Sequence, residues 1–311
     1  MGSPRVTAGT ASAFGGGSGN LNGFGIPAGC CSDGPSGMRL DCGTKAFSLP
    51  NGTMIASSFN KELTSELFAF MGLEMAANKV DCLLGPGMNI HRHPLNGRNF
   101  EYFSEDPFLT GKMAAAELKG MAGAGVTGTI KHFCANNRET NRHFIDSVVS
   151  ERALREIYLK GFEIAVKEGG ASSVMTTYGI VNGLWTAGNF DLNTVILREE
   201  WGFKGFTMTD WWANINVRGK EPDKTDFAAM ARAQNDVYMV CPDGEKNDDN
   251  TLAALENGGI ERCELQRNAE NICGFLLHTN ALKRAEGIGD TVKVINREDE
   301  EQEDDKPVQF Y

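Results

Sequence analysis

Long apolar runs are missing from this sequence of 311 residues. A membrane-spanning helix needs about 20 consecutive apolar residues, and the apolar stretches here, such as residues 80–84, are far shorter and are interrupted by Asp81. The chain begins Met1-Gly2-Ser3 without the basic and apolar regions of a secretory signal. Its eight cysteines include no C-x-x-C pair, which favours free thiols in a reducing compartment. We therefore expect no membrane segment and a cytoplasmic location.

Positive charge is also scarce. The 30 lysines and arginines are outnumbered by 41 acidic residues, and the net charge of -11 argues against nucleic-acid binding through a basic surface. Part of the acidic excess lies in residues 297–306, which hold seven acidic and two basic residues. Such a block of like charges cannot bury enough surface to fold. We predict a glycine-rich segment at 1–23, a folded domain at 24–285 and an acidic tail or linker at 286–311.

Short apolar runs alternate with helical patterns through the middle of the chain. Six runs are predicted to be strands: Ala28–Ser32, Val80–Leu84, Gly128–Phe133, Ser172–Thr177, Gly205–Thr209 and Val237–Val240. Strands that alternate with helices form parallel sheets, either in a barrel or in a doubly wound sheet. No G-x-G-x-x-G dinucleotide fingerprint follows a strand, and polar residues cluster after the strands instead. We favour an α/β, (β/α)8 TIM-barrel-like fold, incomplete at its N-terminal edge.

Several residues are typical of helix N-caps. Asn60, Asp106 before Pro107, and Ser150 each precede a helical pattern. In the helix after Asn60, one apolar face is predicted to consist of Leu63, Leu67, Phe70 and Met71. Two further helices are predicted at 226–233 and 263–282.

Asp210 follows a predicted buried strand and stands directly before Trp211 and Trp212. A carboxylate held at a strand end can serve as a nucleophile or base, and flat aromatic rings suit the apolar faces of sugars. The alternative is that Asp210 only caps the next helix while the tryptophans pack.

Two further strand ends carry polar groups. Lys131 and His132 end one strand, and both can reach one pocket only where the strand ends and the backbone turns. Asp33 precedes a Gly-Pro turn, where it can bind two neighbouring hydroxyl groups or simply stabilise the turn. The polar loop at 85–107 is long enough to indicate a functional role. The histidines at 91, 93, 132 and 143 match no zinc-binding spacing, so no metal site is expected.

Together and in this order, seven segments resemble glycoside hydrolase family 3, in particular its β-glucosidase-like members. The matching segments are Ser32–Arg39, Gly85–Ile90, Gly97–Pro107, Lys131–Phe133, Ser150–Tyr158, Val174–Tyr178 and Thr209–Trp211. Each motif is modest alone, but their joint order and spacing across residues 24–285 are specific.

The resemblance implies a barrel domain that hydrolyses β-glycosidic bonds, β-glucosides above all, with retention of configuration. Asp210 matches the nucleophile, on which a covalent glycosyl-enzyme intermediate forms. The family's sugar contacts are matched by Asp33, Arg98, Lys131, His132, Met175, Tyr178 and Trp211. The implied substrate is a β-linked oligosaccharide or an aryl or alkyl glycoside. No cofactor is expected, because two carboxyl groups suffice for this chemistry.

The chain departs from the family pattern at the second carboxyl group. In β-glucosidase-like relatives the acid/base comes from a separate α/β sandwich domain, whereas here the acidic tail follows the last helix. Another branch of the family uses a Gly-His-Gly-Asp pattern, which residues 134–143 lack. Glu139, His143 and Asp146 are local candidates that we do not favour. We expect the acid/base on a domain or chain outside this sequence; the alternative is a fragment or subunit that binds sugar without turnover.

Overall fold

A seven-stranded sheet organises the protein, whose structure is a computed structural model. It describes residues 2–3, 10–15, 24–41, 45–241 and 247–288. The strands are β1 Gly2–Ser3, β2 Ser12–Gly15, β3 Ala28–Asp33, β4 Cys82–Leu84, β5 Thr127–Phe133, β6 Asp146–Ser147, β7 Ser173–Thr176, β8 Ile180–Val181, β9 Leu184–Trp185 and β10 Phe206–Met208. The large sheet runs β1-β2-β3-β4-β5-β7-β10, and β6, β8 and β9 form a small second sheet.

Every strand pair from β3 to β10 in the large sheet is parallel, which confirms the predicted α/β, barrel-like class. Five of the six predicted strands are present. The prediction of a sixth strand at Val237–Val240 was wrong: the segment forms an isolated bridge from Val237 to Met208, and its backbone bonds to Thr207, Thr209 and Trp212 do not form a regular ladder. The large sheet is an open half-barrel.

Helices connect and cover the parallel strands. They are α1 Gly52–Ser57, α2 Lys61–Ala77, α3 Pro107–Ala122, α4 Glu151–Ala153, α5 Lys160–Lys167, α6 Phe227–Arg232, α7 Thr251–Glu256, α8 Arg262–Leu277 and α9 Asn280–Ala285, with π-helical turns at Leu154–Tyr158 and Asp191–Glu200. The predicted caps are confirmed, since the side chains of Asn60, Asp106 and Ser150 each accept a backbone N–H of the first turn. The helix predicted at 263–282 is divided in two around His278 and Thr279.

Helix α2 corrects one prediction about its core face. Phe68, Met71 and Met75 are buried, whereas Leu63 and Phe70 are 54% and 68% exposed. The helix carries apolar residues all round, so the sequence pattern alone could not show which side meets α3.

The described part of the N-terminal segment contributes a strand that was not predicted. Strand β2 pairs antiparallel with β3, and its Phe14 is fully buried. The Phe14 ring stacks on Phe206 of β10 with a centroid distance of 4.6 Å and meets Phe275 of α8 edge-on at 5.4 Å. These three rings pack against one another and thereby join β2, β10 and α8. The predicted acidic tail lies outside the described residues beyond Ile288.

No helix within the described ranges is long and apolar enough to cross a membrane. The seven described cysteines are free thiols, five of them buried. The eighth, Cys42, lies outside the described residues.

Candidate active site

A cavity of about 580 Å³ opens at the carboxyl ends of the parallel strands. All eight residues singled out from the sequence line it: Asp33, Arg98, Lys131, His132, Met175, Tyr178, Asp210 and Trp211. They come from the ends of β3, β5, β7 and β10 and from the long loop after β4. Because parallel strands end at the same edge of the sheet, residues almost 180 positions apart meet here.

Asp210 lies two residues after β10 at the bottom of this cavity and is only 7% exposed. Its Oδ1 accepts the backbone N–H of Trp211 at 2.8 Å. Its Oδ2 is buried and lies 3.6 Å from His132 Nε2, and the Tyr178 hydroxyl interacts with the same carboxylate. Burial raises the pKa of Asp210, while the Trp211 N–H, the charges of Lys131 and Arg98 and the Tyr178 hydroxyl act in the opposite direction. The result is a largely buried carboxylate in the cavity wall.

Lys131 and Asp33 form an ion pair across the cavity wall. Lys131 Nζ donates to Asp33 Oδ1 at 3.1 Å, and the Lys131 side chain is 5% exposed whereas that of Asp33 is 42% exposed. Burial acts to raise the pKa of Asp33, but the Lys131 charge and hydrogen bond outweigh it and hold the pKa below its ordinary value. Asp33 therefore offers an ionised acceptor to hydroxyl groups, and Lys131 offers a donor.

Lys131 and His132 are neighbours, yet both face the cavity. The register between β5 and β7 shifts between Lys131 and Phe133, so side chains no longer alternate between the two faces of the strand there. This is the condition that the sequence analysis set for both side chains to reach one pocket. The Asn89 side chain holds this turn through two 2.9 Å bonds, donating to the His132 carbonyl and accepting the His132 N–H.

His132 is 2% exposed. Burial lowers its pKa well below the ordinary histidine value, and the positive charges of Arg98, Lys131 and Arg142 lower it further. His132 is consequently a neutral imidazole at physiological pH. Arg98 itself is held by an ion pair with Glu101 in the turn of 3-10 helix at Asn99–Glu101.

The cavity also contains residues that the sequence alone did not single out as sugar contacts. These are Ala11, Arg39, Asp41, Leu84, Arg142 and Trp212. Arg142 lies over the Tyr178 ring, with 4.6 Å from Cζ to the ring centroid. Trp212 is 56% exposed and has a φ of 55°, a left-handed conformation that is uncommon for a bulky residue. No sequence pattern predicts this backbone conformation, although the sequence analysis identified the two adjacent tryptophans.

Three acid/base candidates from the sequence do not line this cavity. Glu139 is bound by Arg142 Nη1 at 2.8 Å and by Asn136 Nδ2 at 3.2 Å. His143 lies against the Tyr178 ring with a centroid distance of 4.2 Å, and Asp146 is exposed in β6. Within the described ranges, no group of three histidine, cysteine or acidic residues is arranged to hold a metal ion.

Comparison with known proteins adds to this geometry. The model of the glycosyl hydrolase family 3 N-terminal domain matches residues 20–274. A curated β-glucosidase of Ruminococcus albus is 74% identical over 96% of this chain, which covers 31% of that protein. The solved β-glucosidase of Paenibacillus barengoltzii has a TM-score of 0.89 and 58% identity over 91% of this chain and 31% of its own.

A further solved structure, β-glucosidase 3B from Thermotoga neapolitana in complex with glucose, has a TM-score of 0.81 and 39% identity, covering 91% of this chain and 40% of its own. The chain thus spans about a third of the length of the curated relatives that it matches.

Proposed function

The chain belongs to glycosyl hydrolase family 3, and from that membership we propose that it is the nucleophile-bearing domain of a retaining β-glycosidase that acts on β-glucosides. One observation carries the proposal: the carboxylate of Asp210, 7% exposed, lines a cavity together with cationic and hydrogen-bonding groups. We further propose residues 24–285 as the barrel domain, to which strand β2 adds Ser12–Gly15, and residues 286–311 as a tail or linker. The free thiols support the proposed cytoplasmic location.

In the proposed reaction, a carboxylate oxygen of Asp210 attacks the anomeric carbon of the sugar. The bond from that carbon to the aglycone oxygen breaks, an ester bond to Asp210 forms, and an acid protonates the departing oxygen. Water then attacks the same carbon, the acid now acts as base, and Asp210 is released. Lys131 and Arg98 favour the ionised form of Asp210 that this attack requires.

We propose Asp33, Arg98, Lys131, His132, Met175, Tyr178 and Trp211 as the contacts to the sugar. Asp33 supplies an anionic acceptor, while Lys131 and Arg98 supply cationic donors on the same wall. Trp211 and Met175 supply apolar surface for the face of the ring. A pocket with both acceptors and donors discriminates well between hydroxylated rings, because an unmatched polar group in it would stay unpaired.

The second carboxyl group is proposed to come from outside this chain, from an α/β sandwich domain or a separate chain. Besides Asp210, the carboxylates that line the cavity within the described ranges are Asp33 and Asp41. Asp33 is paired with Lys131, and Asp41 is exposed and paired with Arg39 at 3.0 Å. The Lys131 charge and hydrogen bond hold the pKa of Asp33 below its ordinary value, the opposite of what a general acid requires.

Covalent labelling tests the nucleophile without the second carboxyl group. A dinitrophenyl β-glucoside with fluorine in place of the hydroxyl next to the anomeric carbon has a leaving group that needs no acid. We expect one fluoroglucosyl adduct on the wild-type chain by mass spectrometry and none on Asp210→Ala. Asp41→Asn serves as the matched control and should still be labelled. Labelling of Asp210→Ala would refute the assignment.

A second candidate function, sugar binding without turnover, is favoured by the same lack of a suitable acid among the described cavity residues. Hydrolysis of an activated aryl glucoside and of an unactivated alkyl glucoside, measured beside glucose binding by calorimetry, separates the two. Binding without hydrolysis of the alkyl glucoside supports an acid/base outside the chain. Ready hydrolysis of the alkyl glucoside by this chain alone would contradict it, and loss of that activity in Asp41→Asn would then identify the acid.

A further inference from the structure

A chain of hydrogen bonds runs behind the cavity wall from Glu139 to His132. Glu139 Oε1 accepts Asn136 Nδ2 at 3.2 Å, and the same amide nitrogen donates to the Tyr102 hydroxyl at 2.9 Å. The Tyr102 oxygen lies 3.2 Å from His132 Nδ1. Asn136, Tyr102 and His132 are 5%, 0% and 2% exposed. Because water has little access to them, each of their polar hydrogens must find its acceptor within this series of hydrogen bonds.

The direction of the chain is set at the end with Glu139. Arg142 Nη1 donates to Glu139 Oε2 at 2.8 Å, which keeps this carboxylate a pure acceptor. A carboxylate oxygen repels the carbonyl oxygen of an amide, so Asn136 must turn its NH2 group toward Glu139. The two hydrogens of that group then serve Glu139 and Tyr102, as the distances show.

Tyr102 transmits this direction to His132. Its oxygen accepts the Asn136 amide, so its own hydrogen needs an acceptor in a fully buried site. His132 Nδ1 is the acceptor within reach. If Nδ1 carried the proton instead, the buried tyrosine hydrogen would have no acceptor, which is unfavourable.

We infer that Tyr102 is a positioning residue: it fixes His132 as the neutral imidazole protonated at Nε2, so that this histidine presents a donor to the cavity and to Asp210 Oδ2 at 3.6 Å. The opposite tautomer would turn a lone pair toward the carboxylate. Under the proposed function, the donor at Nε2 binds a sugar hydroxyl oxygen or Oδ2 of Asp210. The tautomer itself does not depend on that function and is measured without sugar.

Nitrogen-15 NMR of the histidine side chains tests the inference directly. The chain has five histidines, and His132→Gln identifies the signals of His132. Long-range proton–nitrogen correlations distinguish the two neutral tautomers and the imidazolium. We expect wild-type His132 to be the Nε2–H tautomer alone at neutral pH. The Nδ1–H tautomer or an imidazolium in the wild type would overturn the inference.

Two variants locate the cause. Tyr102→Phe removes the donor to Nδ1, and we expect the single Nε2–H state to be lost, with the Nδ1–H form or the imidazolium populated. Tyr238→Phe, which removes another buried hydroxyl that donates to the Ala213 carbonyl at 3.0 Å, is the matched control and should leave His132 unchanged. A pure Nε2–H signal in Tyr102→Phe would show that Asp210, not Tyr102, sets the tautomer.

Glu139→Gln provides a nearly isosteric test that does not depend on removal of the tyrosine. Arg142 requires an oxygen opposite it, so the new NH2 group faces Asn136 and turns that amide round. Tyr102 then donates to the Asn136 oxygen, and His132 Nδ1 becomes the donor. We expect the Nδ1–H tautomer to appear in this variant. An unchanged spectrum would overturn the inference that Glu139 sets the direction of the hydrogen bonds as far as His132. Failure of glucosyl labelling with these tautomer results intact would count against the proposed function alone.

Discussion

Aspartates at the two ends of the parallel strands have different surroundings. Asp81 and Asp236 stand directly before β4 and before Val237, whereas Asp33 ends β3 and Asp210 follows β10. The first two lie at the amino ends of the strands and the other two at the carboxyl ends. All four lie close to the sheet, so their chemistry differs because their partners differ.

At the amino ends, arginines from the surrounding helices hold the carboxylates. Arg284 of α9 donates to Asp81 Oδ2 at 2.6 Å, and Arg198 donates to Asp236 Oδ2 at 2.7 Å. Asp236 also accepts the backbone N–H of Thr207 at 2.8 Å and the Asn271 amide at 2.9 Å. These contacts tie helices to strands, and neither aspartate lines the cavity at the carboxyl ends.

At the carboxyl ends, the carboxylates face a cavity. Asp33 is paired with Lys131 but remains partly exposed, and Asp210 lines the cavity beside Lys131, His132 and Tyr178. The volume does not distinguish the two ends, because the cavity at the amino ends is larger, about 760 Å³, and is lined mainly by small and apolar residues. The charged and hydrogen-bonding side chains that line the cavity, rather than its volume, mark the candidate site.

The largest expected effect is on stability at the amino ends. Asp236→Asn leaves Arg198 as a buried charge without its counter-ion, since its side chain is 7% exposed. We expect a loss of about 3–5 kcal/mol in the free energy of unfolding, measured by urea denaturation. The exposed pair gives the control, because Asp41→Asn should cost less than about 1 kcal/mol. Equal losses in the two variants would contradict the distinction between the ends.

The next effect is on binding at the carboxyl ends. Lys131→Met removes a buried charged donor from the proposed sugar pocket, and we expect glucose affinity to fall by about 1.5–3 kcal/mol, roughly tenfold to a hundredfold. Calorimetry or competition with a labelled sugar measures it. Lys204→Met, in the cavity at the amino ends, should leave the affinity unchanged. If Lys204→Met weakened glucose binding instead, the sugar site would lie at the other end of the sheet.

The smallest expected effect is a gain in stability. Asp210→Asn replaces a carboxylate whose burial disfavours the charged form, and we expect it to stabilise the fold by about 1 kcal/mol at neutral pH. Because burial raises the pKa of Asp210 in the folded state, wild-type stability declines as pH rises through that pKa.

The gain of Asp210→Asn should therefore vanish near pH 3, where both states of the wild type are protonated (about a unit below the ordinary pKa). Thermal unfolding of both proteins across the acid range checks this. A gain independent of pH, or a loss of stability, would show that burial of this carboxylate is not a source of instability.

The sequence was sufficient for the elements whose signals are local. A cap such as Asn60 acts within one turn, and buried strands such as Cys82–Leu84 are short apolar runs with nearby turn signals. The grouping of Asp33, Lys131 and Asp210 also followed, because the ends of parallel strands meet.

Features that depend on long-range partners were not predictable. The buried side of α2 is set by α3. Val237–Val240 has the composition of a strand, but its backbone bonds to residues 207–212 do not form a regular ladder. Tyr102 lies within a recognised motif, yet its bond to His132 joins residues 30 positions apart. No local pattern reports such a contact.

Phe14 has a practical consequence for where this domain should be taken to begin. The family match starts at residue 20, but the Phe14 ring occupies the interior beside Phe206, four residues before Asp210. A protein trimmed to the matched span would lose that ring and open the seam between β2 and β10 to water. The span of the family match is thus shorter than the span whose side chains fill the interior of the barrel.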